Sequence, residues 1–289
     1  MPAMHQHADG GSGIPGAALT LVLLLTAAGG YLLTVRRTRR RNPARGWQSW
    51  RAASFLGGLT LLGVALLPPL GPVAHTDFRA HMTQHMLVGM YAPLALVLGA
   101  PVTLLLRALP AARARHVSAV MHSPAARALA HPASALLLST GSLALLYFTP
   151  LYNTAMNHPV GHWVLHTHFL ASGWLFAYVI AGTDPAPARS GVRTRLVYLG
   201  IAIAAHALIA QAMYGGIFVD IRAPIGQVQQ GAEIMYYGGD IAELLLAGAL
   251  VATWRPARPR GGGRAHPARP KAAVVATETM HRPGISAGQ

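Results

Sequence analysis

Residues 16–35 read GAALTLVLLLTAAGGYLLTV, and residues 36–41, which follow directly, read RRTRRR. The hydrocarbon core of a bilayer is about 30 Å thick, and a helix needs roughly 20 apolar residues to cross it. The uncharged run therefore has the length of one membrane-spanning helix. Lysine and arginine accumulate on the cytoplasmic side of membrane proteins, so the arginines predict that this helix begins outside the cell and ends inside it.

The composition of the whole chain also indicates a membrane protein. Of the 289 residues, 53% are hydrophobic and 11% are charged, whereas an average soluble domain has about 25% charged residues. The mean hydropathy is +0.38. The chain has no cysteine, which excludes disulfides, thiolate metal sites, iron–sulfur clusters and cysteine nucleophiles.

Seven stretches have the length and composition of a membrane span. They are residues 16–35, 52–70, 80–106, 132–151, 162–181, 196–219 and 234–254. In the third segment, Pro93 and Pro101 predict a kink and a helix stop. With the amino terminus outside, 21 of the 23 lysines and arginines fall in the inner loops and the tail. Membrane topology thus explains the net charge of +15, and no nucleic acid partner is needed.

We therefore predict an all-α, polytopic protein of the bacterial plasma membrane, in contact with lipid. The prediction is a bundle of seven transmembrane helices with the amino terminus outside and the carboxyl terminus in the cytoplasm. Residues 1–13 form an extracytoplasmic arm and residues 14–254 the membrane domain. Residues 255–289, rich in Pro, Arg, Gly and Ala, form a disordered basic tail in the cytoplasm.

Segments three and five each begin, on the predicted outer side, with two histidines four residues apart. The sequences are HMTQHM at residues 81–86 and HWVLHTH at residues 162–168. Residues four apart share one face of a helix, so each pair of imidazoles, and the two methionines of segment three, stack along their helices. The candidate metal ligands are His81, His85, His162, His166, His168, Met82 and Met86.

This set of side chains favours copper. Imidazole binds copper, zinc, iron and nickel, thioether favours Cu(I), and histidine with methionine but without cysteine points to copper outside the cytoplasm. Asp240, in segment seven, is a further candidate as a nearby acid. Asp240 and Glu243 share a helix face, and His206 lies near the middle of segment six. Ionisable groups at such depth are costly unless they are paired, hydrated or ligated.

Other classes of function stay open at this point. Histidines from segments three and five could hold a haem through its two axial positions, as in an electron-transfer protein. His206, Asp240 and Glu243 could mark the path of a metal or proton transporter, and a purely structural scaffold needs none of these groups. An enzyme is not favoured, because the chain has neither a Walker loop nor an HExxH zinc motif.

Several short motifs follow one another between residues 70 and 254. They are HMTQHML at 81–87, APL at 92–94, LGAP at 98–101, YFTPLY at 147–152, GTDP at 182–185 and QQG at 229–231. In this order they resemble the CtaG-like family of cytochrome c oxidase assembly proteins, polytopic proteins associated with caa-type oxidases. The resemblance implies a seven-helix assembly factor that has oxidase subunits as partners and is suspected of supplying copper to the oxidase. Members often have Trp where this chain has Tyr236.

Overall fold

The computed structural model describes residues 13–41, 43, 44, 46–158, 160–187 and 189–254, and within these ranges it has helices and no strands. The helices are α1 (Gly13–Arg41), α2 (Ser49–Leu66), α3 (Leu70–Val73), α4 (Phe78–Met86), α5 (Ala92–Leu98), α6 (Pro101–Ala108), α7 (Ala111–Met121), α8 (Pro124–Leu129), α9 (Pro132–Leu136), α10 (Ser142–Tyr147), α11 (Leu151–Met156), α12 (Gly161–Ala181), α13 (Val192–Tyr214) and α14 (Ile225–Thr253), with π-helical turns π1 (Leu87–Tyr91) and π2 (Leu137–Gly141). The all-α prediction is confirmed. Most of the predicted arm and the whole predicted tail lie outside the described residues.

The number of membrane spans is five or six by length and hydropathy within the described part of the chain. The long helices α1, α2, α12, α13 and α14 each qualify, and the broken helix Phe78–Leu98 plus Pro101–Ala108 adds one if it counts as a single span. The fourth predicted segment forms a shorter apolar helix, Pro132–Tyr147. A multi-pass membrane protein is therefore supported, whereas seven full spans and the sidedness of the termini stay predictions.

The boundaries of two predicted spans differ from those of the helices. The last helix begins at Ile225, nine residues before the predicted 234, because the polar residues Gln227, Gln229 and Gln230 are helical as well. A hydropathy criterion places a helix start where apolar residues begin, but backbone hydrogen bonds continue through polar residues at the end of a bundle. The second helix ends at Leu66, ahead of the pair Pro68–Pro69.

The two prolines of segment three act differently from each other. Pro101 begins a new helix after a break at Ala100, which has a φ of 50°, and the axis bends there by 40°. Pro93 follows π1, in which the Ala92 amide bonds the carbonyl of Leu87, five residues back. Proline lacks an amide hydrogen and crowds the preceding turn, and the wider π-helical turn before Pro93 accommodates it. The predicted stop at Pro101 is thus confirmed.

Hydrogen bonds between loops and helix ends bring matching ends of the helices together. At one end, the Phe78 amide donates to Gln227 Oε1 at 3.2 Å. At the other end, the amide of Thr103 donates to Asp184 Oδ1 at 2.8 Å. The starts of α4 and α14 are therefore neighbours, and so are the start of α6 and the α12–α13 loop, as the alternating topology predicts. We call the end that contains Phe78 and Gln227 the histidine end.

Helix α12 lies against π1 with almost no space between the two backbones. A Cβ atom added at Gly173 would overlap the carbonyl oxygen of Gly89. Only glycine at position 173 permits this approach, and small residues at helix crossings are typical of membrane bundles. The close approach brings the histidine-bearing faces of α4 and α12 together.

Candidate metal site at the histidine end

Gln84 connects the two helices that carry the histidine pairs. Its side chain is buried, its Nε2 donates to the carbonyl of Ala65 at 2.8 Å, and its Oε1 lies 2.8 Å from Nε2 of His166. Since the amide nitrogen already donates to a carbonyl, the amide oxygen is the acceptor and His166 Nε2 carries the hydrogen. The lone pair of His166 is therefore on Nδ1, which is free to bind a metal ion.

Three imidazoles meet beside this contact. The ring centroids of His75 and His162 are 3.7 Å apart, and those of His162 and His166 are 6.0 Å apart. Nδ1 of His162 is buried and has no hydrogen-bond partner. Although the side chain of His75 is exposed on one side, partial desolvation lowers its pKa, which favours the neutral imidazole that binds metals. We call His75, His162 and His166 the imidazole cluster.

His75 is the member of this cluster that the sequence analysis missed. It lies in the turn between α3 and α4, outside any predicted span, where a single histidine has no pattern to distinguish it. The feature of the sequence that could have indicated its role is its position just ahead of the first histidine pair. Contact with His162 depends on how the α3–α4 turn folds over the start of α12, and periodicity along one helix does not describe that.

His81 and His85 lie deeper in the bundle, and both are almost completely buried. Neither ring nitrogen of either residue has a hydrogen-bond partner in the described structure. The His81 ring lies 5.1 Å from that of Tyr152, and the His85 ring lies 4.3 Å from that of Phe169. Buried polar atoms are nearly always hydrogen-bonded to protein, water or an ion, so these four nitrogens are candidates for binding one of the latter two.

The other predicted ligands point elsewhere. Met82 and Met86 are buried in the hydrophobic core, where they pack toward Gly231 and Gly238 of α14. His168 Nε2 lies 2.9 Å from the hydroxyl of Ser142 in α10. Asp240 is half-buried on α14.

No three His, Asp or Glu side chains in the described ranges are arranged to hold a metal ion. The seven predicted ligands and the nearby acid Asp240 are therefore not assembled around one point. The reason is geometric, because residues one or two positions apart on a helix face different directions. Of the predicted ligands, His162 and His166 lie near each other. His75, which was not a predicted ligand, joins them through the contact of its ring with that of His162.

Gln84→Leu is expected to lower the free energy of unfolding by about 1–3 kcal/mol, because the carbonyl of Ala65 and the ring of His166 would both lose a partner. The measurement is the thermal unfolding of the full chain in detergent. The matched control is Thr83→Val, since the Thr83 hydroxyl only bonds the carbonyl of Arg79 in its own helix. Equal unfolding midpoints for the two variants would contradict a connecting role for Gln84.

These features define a class of protein: an all-helical, multi-pass membrane protein with several buried and half-buried imidazoles at one end of its bundle. The sequence model of the family described as cytochrome c oxidase caa3 assembly factor matches residues 29–257. This match covers more than half of the chain. The chain belongs to that family.

Curated relatives of the chain come from mycobacteria. An uncharacterized protein of Mycobacterium leprae is 30% identical over 244 residues, which is 78% of this chain and 37% of the relative. Uncharacterized proteins of Mycobacterium bovis and Mycobacterium tuberculosis are each 34% identical over 202 residues, which is 66% of this chain and 30% of the relative. The chain thus spans about a third of the length of these relatives. No solved structure matches it.

Proposed function

We propose that this chain assists the assembly of cytochrome c oxidase by binding copper as cargo at the imidazole cluster and passing it to an oxidase copper centre. The family description supports the assembly role. The observation that supports a metal is the 3.7 Å contact between His75 and His162, next to ring nitrogens that have no hydrogen-bond partner. Imidazole alone binds copper, zinc, iron and nickel, and the oxidase named in the family description favours copper as the cargo.

The cluster needs a small rearrangement to hold an ion. Bonds from a first-row metal such as zinc to imidazole nitrogen are about 2 Å long, so two coordinated rings are separated by the ion itself. His75 is exposed, and rotation of its side chain would admit copper between it and His162, with Nδ1 of His166 as a third donor. A site with one mobile, exposed ligand binds its cargo and also releases it to a partner.

The remaining predicted ligands take other roles in this proposal. His81, whose two ring nitrogens are buried without a hydrogen-bond partner, is a second binding position for the ion. His85 lines a separate cavity and is not counted as a ligand. Met82 and Met86 pack α4 on α14, and His168 bonds Ser142. Asp240, predicted as a nearby acid, is half-buried on α14, and we assign it no ligand bond.

The role is non-catalytic, since the cargo is bound and transferred without a change in covalent bonds. The protein would act as a multi-pass protein of the bacterial plasma membrane, with the histidine end on the extracytoplasmic side. Its partners would be oxidase subunits and membrane lipid. This orientation is the one that the distribution of lysine and arginine predicts.

A haem between α4 and α12 is not supported by the packing. Next to His85 the backbones of Gly89 and Gly173 are so close that an added Cβ would overlap the facing carbonyl. Axial ligation by histidines from both helices would require a slot as wide as the macrocycle. The absorption spectrum of the purified protein tests this alternative directly, because bound haem produces a Soret band.

The test of the copper proposal is a comparison of metal binding in purified full-length protein. We expect the His75→Ala, His162→Ala double variant to bind Cu(I) at least about 100-fold more weakly than the wild type, since the loss of even an outer-shell partner costs roughly 10–100-fold in metal affinity and two direct ligands are removed. The matched control is the His116→Ala, His122→Ala double variant, which removes two exposed histidines from α7 and its end. Bound copper is measured by mass spectrometry of the purified protein. Oxidase activity is measured in membranes from cells that express each variant.

Two results would overturn the proposal. One is full copper binding by the His75, His162 double variant, which would exclude the imidazole cluster as the site. The other is a double variant that binds no copper and yet, as the only copy of the protein in the cell, supports normal oxidase activity. In the second case the family role in assembly would stand without copper, as for a structural scaffold.

A further inference from the structure

A cavity next to His85 is lined by residues of α4, π1, α5, π2, α10, α12, α13 and α14. Its volume is about 60 Å³, which is enough for about two water molecules at roughly 30 Å³ each. Three of its lining residues are ionisable: His85, His206 and Glu243. Three more supply hydroxyl groups: Ser139, Thr140 and Ser172.

The three ionisable side chains are buried and incompletely hydrogen-bonded. Their exposed fractions are 4% for His85, 3% for His206 and 3% for Glu243. Both ring nitrogens of His85, Nε2 of His206 and Oε2 of Glu243 have no hydrogen-bond partner in the described structure. Three helices thus direct polar atoms that lack a protein partner into one small space.

Glycine at position 239 permits this arrangement. A Cβ added at Gly239 would overlap the ring of His206, so only glycine lets that imidazole lie directly against the backbone of α14. Glu243 is four residues further along α14, on the same face. The position of the glycine therefore brings His206 and Glu243 to the same wall of the cavity.

Among the residues that the structure describes, no lysine or arginine lines the cavity, so none of them places a cation there to balance a negative charge on Glu243. The ionisable groups that face it are His206 from α13, His85 from α4 and Asp240, one turn earlier on its own helix. The lining residues from α12 and π2 are apolar or carry hydroxyl groups. An unpaired carboxylate inside a membrane protein is costly, whereas the neutral acid donates a hydrogen bond and removes the charge.

We propose that this cavity is an internal proton-binding site, in which water bridges Glu243 to His206 and His85 and the exchangeable proton resides on the Glu243 carboxyl. Its ligands are water and a proton rather than a metal ion. The site is independent of the copper proposal, since none of the three imidazole-cluster residues lines the cavity. Imidazole nitrogens accept hydrogen bonds from water or from the carboxylic acid, and hydroxyl groups can do both.

The test is infrared spectroscopy of the full-length protein in detergent at neutral pH. We expect a carbonyl stretching band of a protonated carboxylic acid that shifts to lower frequency after transfer to D2O. The band should disappear in Glu243→Gln, which has nearly the same shape. It should persist in the matched control Glu233→Gln, an exposed glutamate of the same helix. In His206→Leu the band should move to higher frequency, because an acceptor is lost.

Several results would overturn the proposal. A wild-type spectrum without the band would show that Glu243 is ionised, and persistence of the band in Glu243→Gln would assign it to another residue. Asp240→Asn tests the nearest alternative, and loss of the band there would transfer the proton to Asp240. A band that does not respond to D2O would show that the carboxyl proton does not exchange. Loss of the wild-type band on addition of one equivalent of copper or zinc would make the cavity a metal site.

Discussion

Gly173→Val is expected to leave little correctly folded protein. The valine side chain would occupy the position of the Gly89 carbonyl, and backbone atoms cannot move aside as a flexible side chain does. Overpacking costs about 1–3 kcal/mol and occasionally more, and we expect the upper end here because the obstacle is backbone; this is a large part of the stability of a typical protein. The measurement is the fraction of monodisperse protein after detergent extraction, together with its thermal unfolding midpoint.

The matched control is Gly200→Ala on α13. A Cβ at Gly200 meets nothing within 4 Å, and alanine in a helix interior is more favourable than glycine by roughly 1 kcal/mol. We therefore expect the control to be as stable as the wild type or more stable. If Gly173→Val unfolded at the same temperature as Gly200→Ala, the close approach of α12 to π1 would not constrain the fold.

Asp184→Ala is the second large effect that we expect, with a loss of about 2–4 kcal/mol in the free energy of unfolding, since several donors would lose their acceptor. The Asp184 carboxylate is 1% exposed. It accepts hydrogen bonds from the amide of Val102 at 3.1 Å and from the amide of Thr103 at 2.8 Å. These amides belong to the first turn of α6, whose donors have no partner within the helix.

Asp77→Ala is the control for Asp184→Ala. Asp77 also caps a helix, α4, by accepting from the Arg79 amide at 2.8 Å, but its carboxylate is accessible to water. Water replaces part of a lost bond at an exposed cap, so we expect a loss of about 1 kcal/mol. Thermal unfolding in detergent measures both variants. A larger loss for Asp77→Ala than for Asp184→Ala would contradict the assignment of Asp184 as the buried cap of α6.

Part of the candidate site could be predicted from the sequence. His81, His85, His162 and His166 are paired by helical spacing, and the structure brings their two helices into contact through Gln84. The contact of His75 with His162 could not be predicted, because it joins residues 87 positions apart in the sequence through the fold of a turn. The cavity at Glu243 likewise depends on how elements distant in the sequence pack against one another.

Asp184 shows the same limit for a motif. The sequence GTDP at 182–185 was recognised as part of a family pattern, but its role as a cap for α6 requires the α12–α13 loop to lie beside the start of that helix. Similarly, the apolar segment 132–151 has the composition of a span, whereas its helix ends at Tyr147.

The sequence by itself determined that this protein is helical, apolar and multi-pass. It also determined which residues share one face of a helix. Those properties depend on local composition and on a period of 3.6 residues, which the linear order of residues contains. The tertiary structure decided which imidazoles meet, which methionines only pack, and where Glu243 encloses a cavity with His206. These features depend on contacts between helices distant in the sequence, and the close approaches at Gly173 and Gly239 determine those contacts.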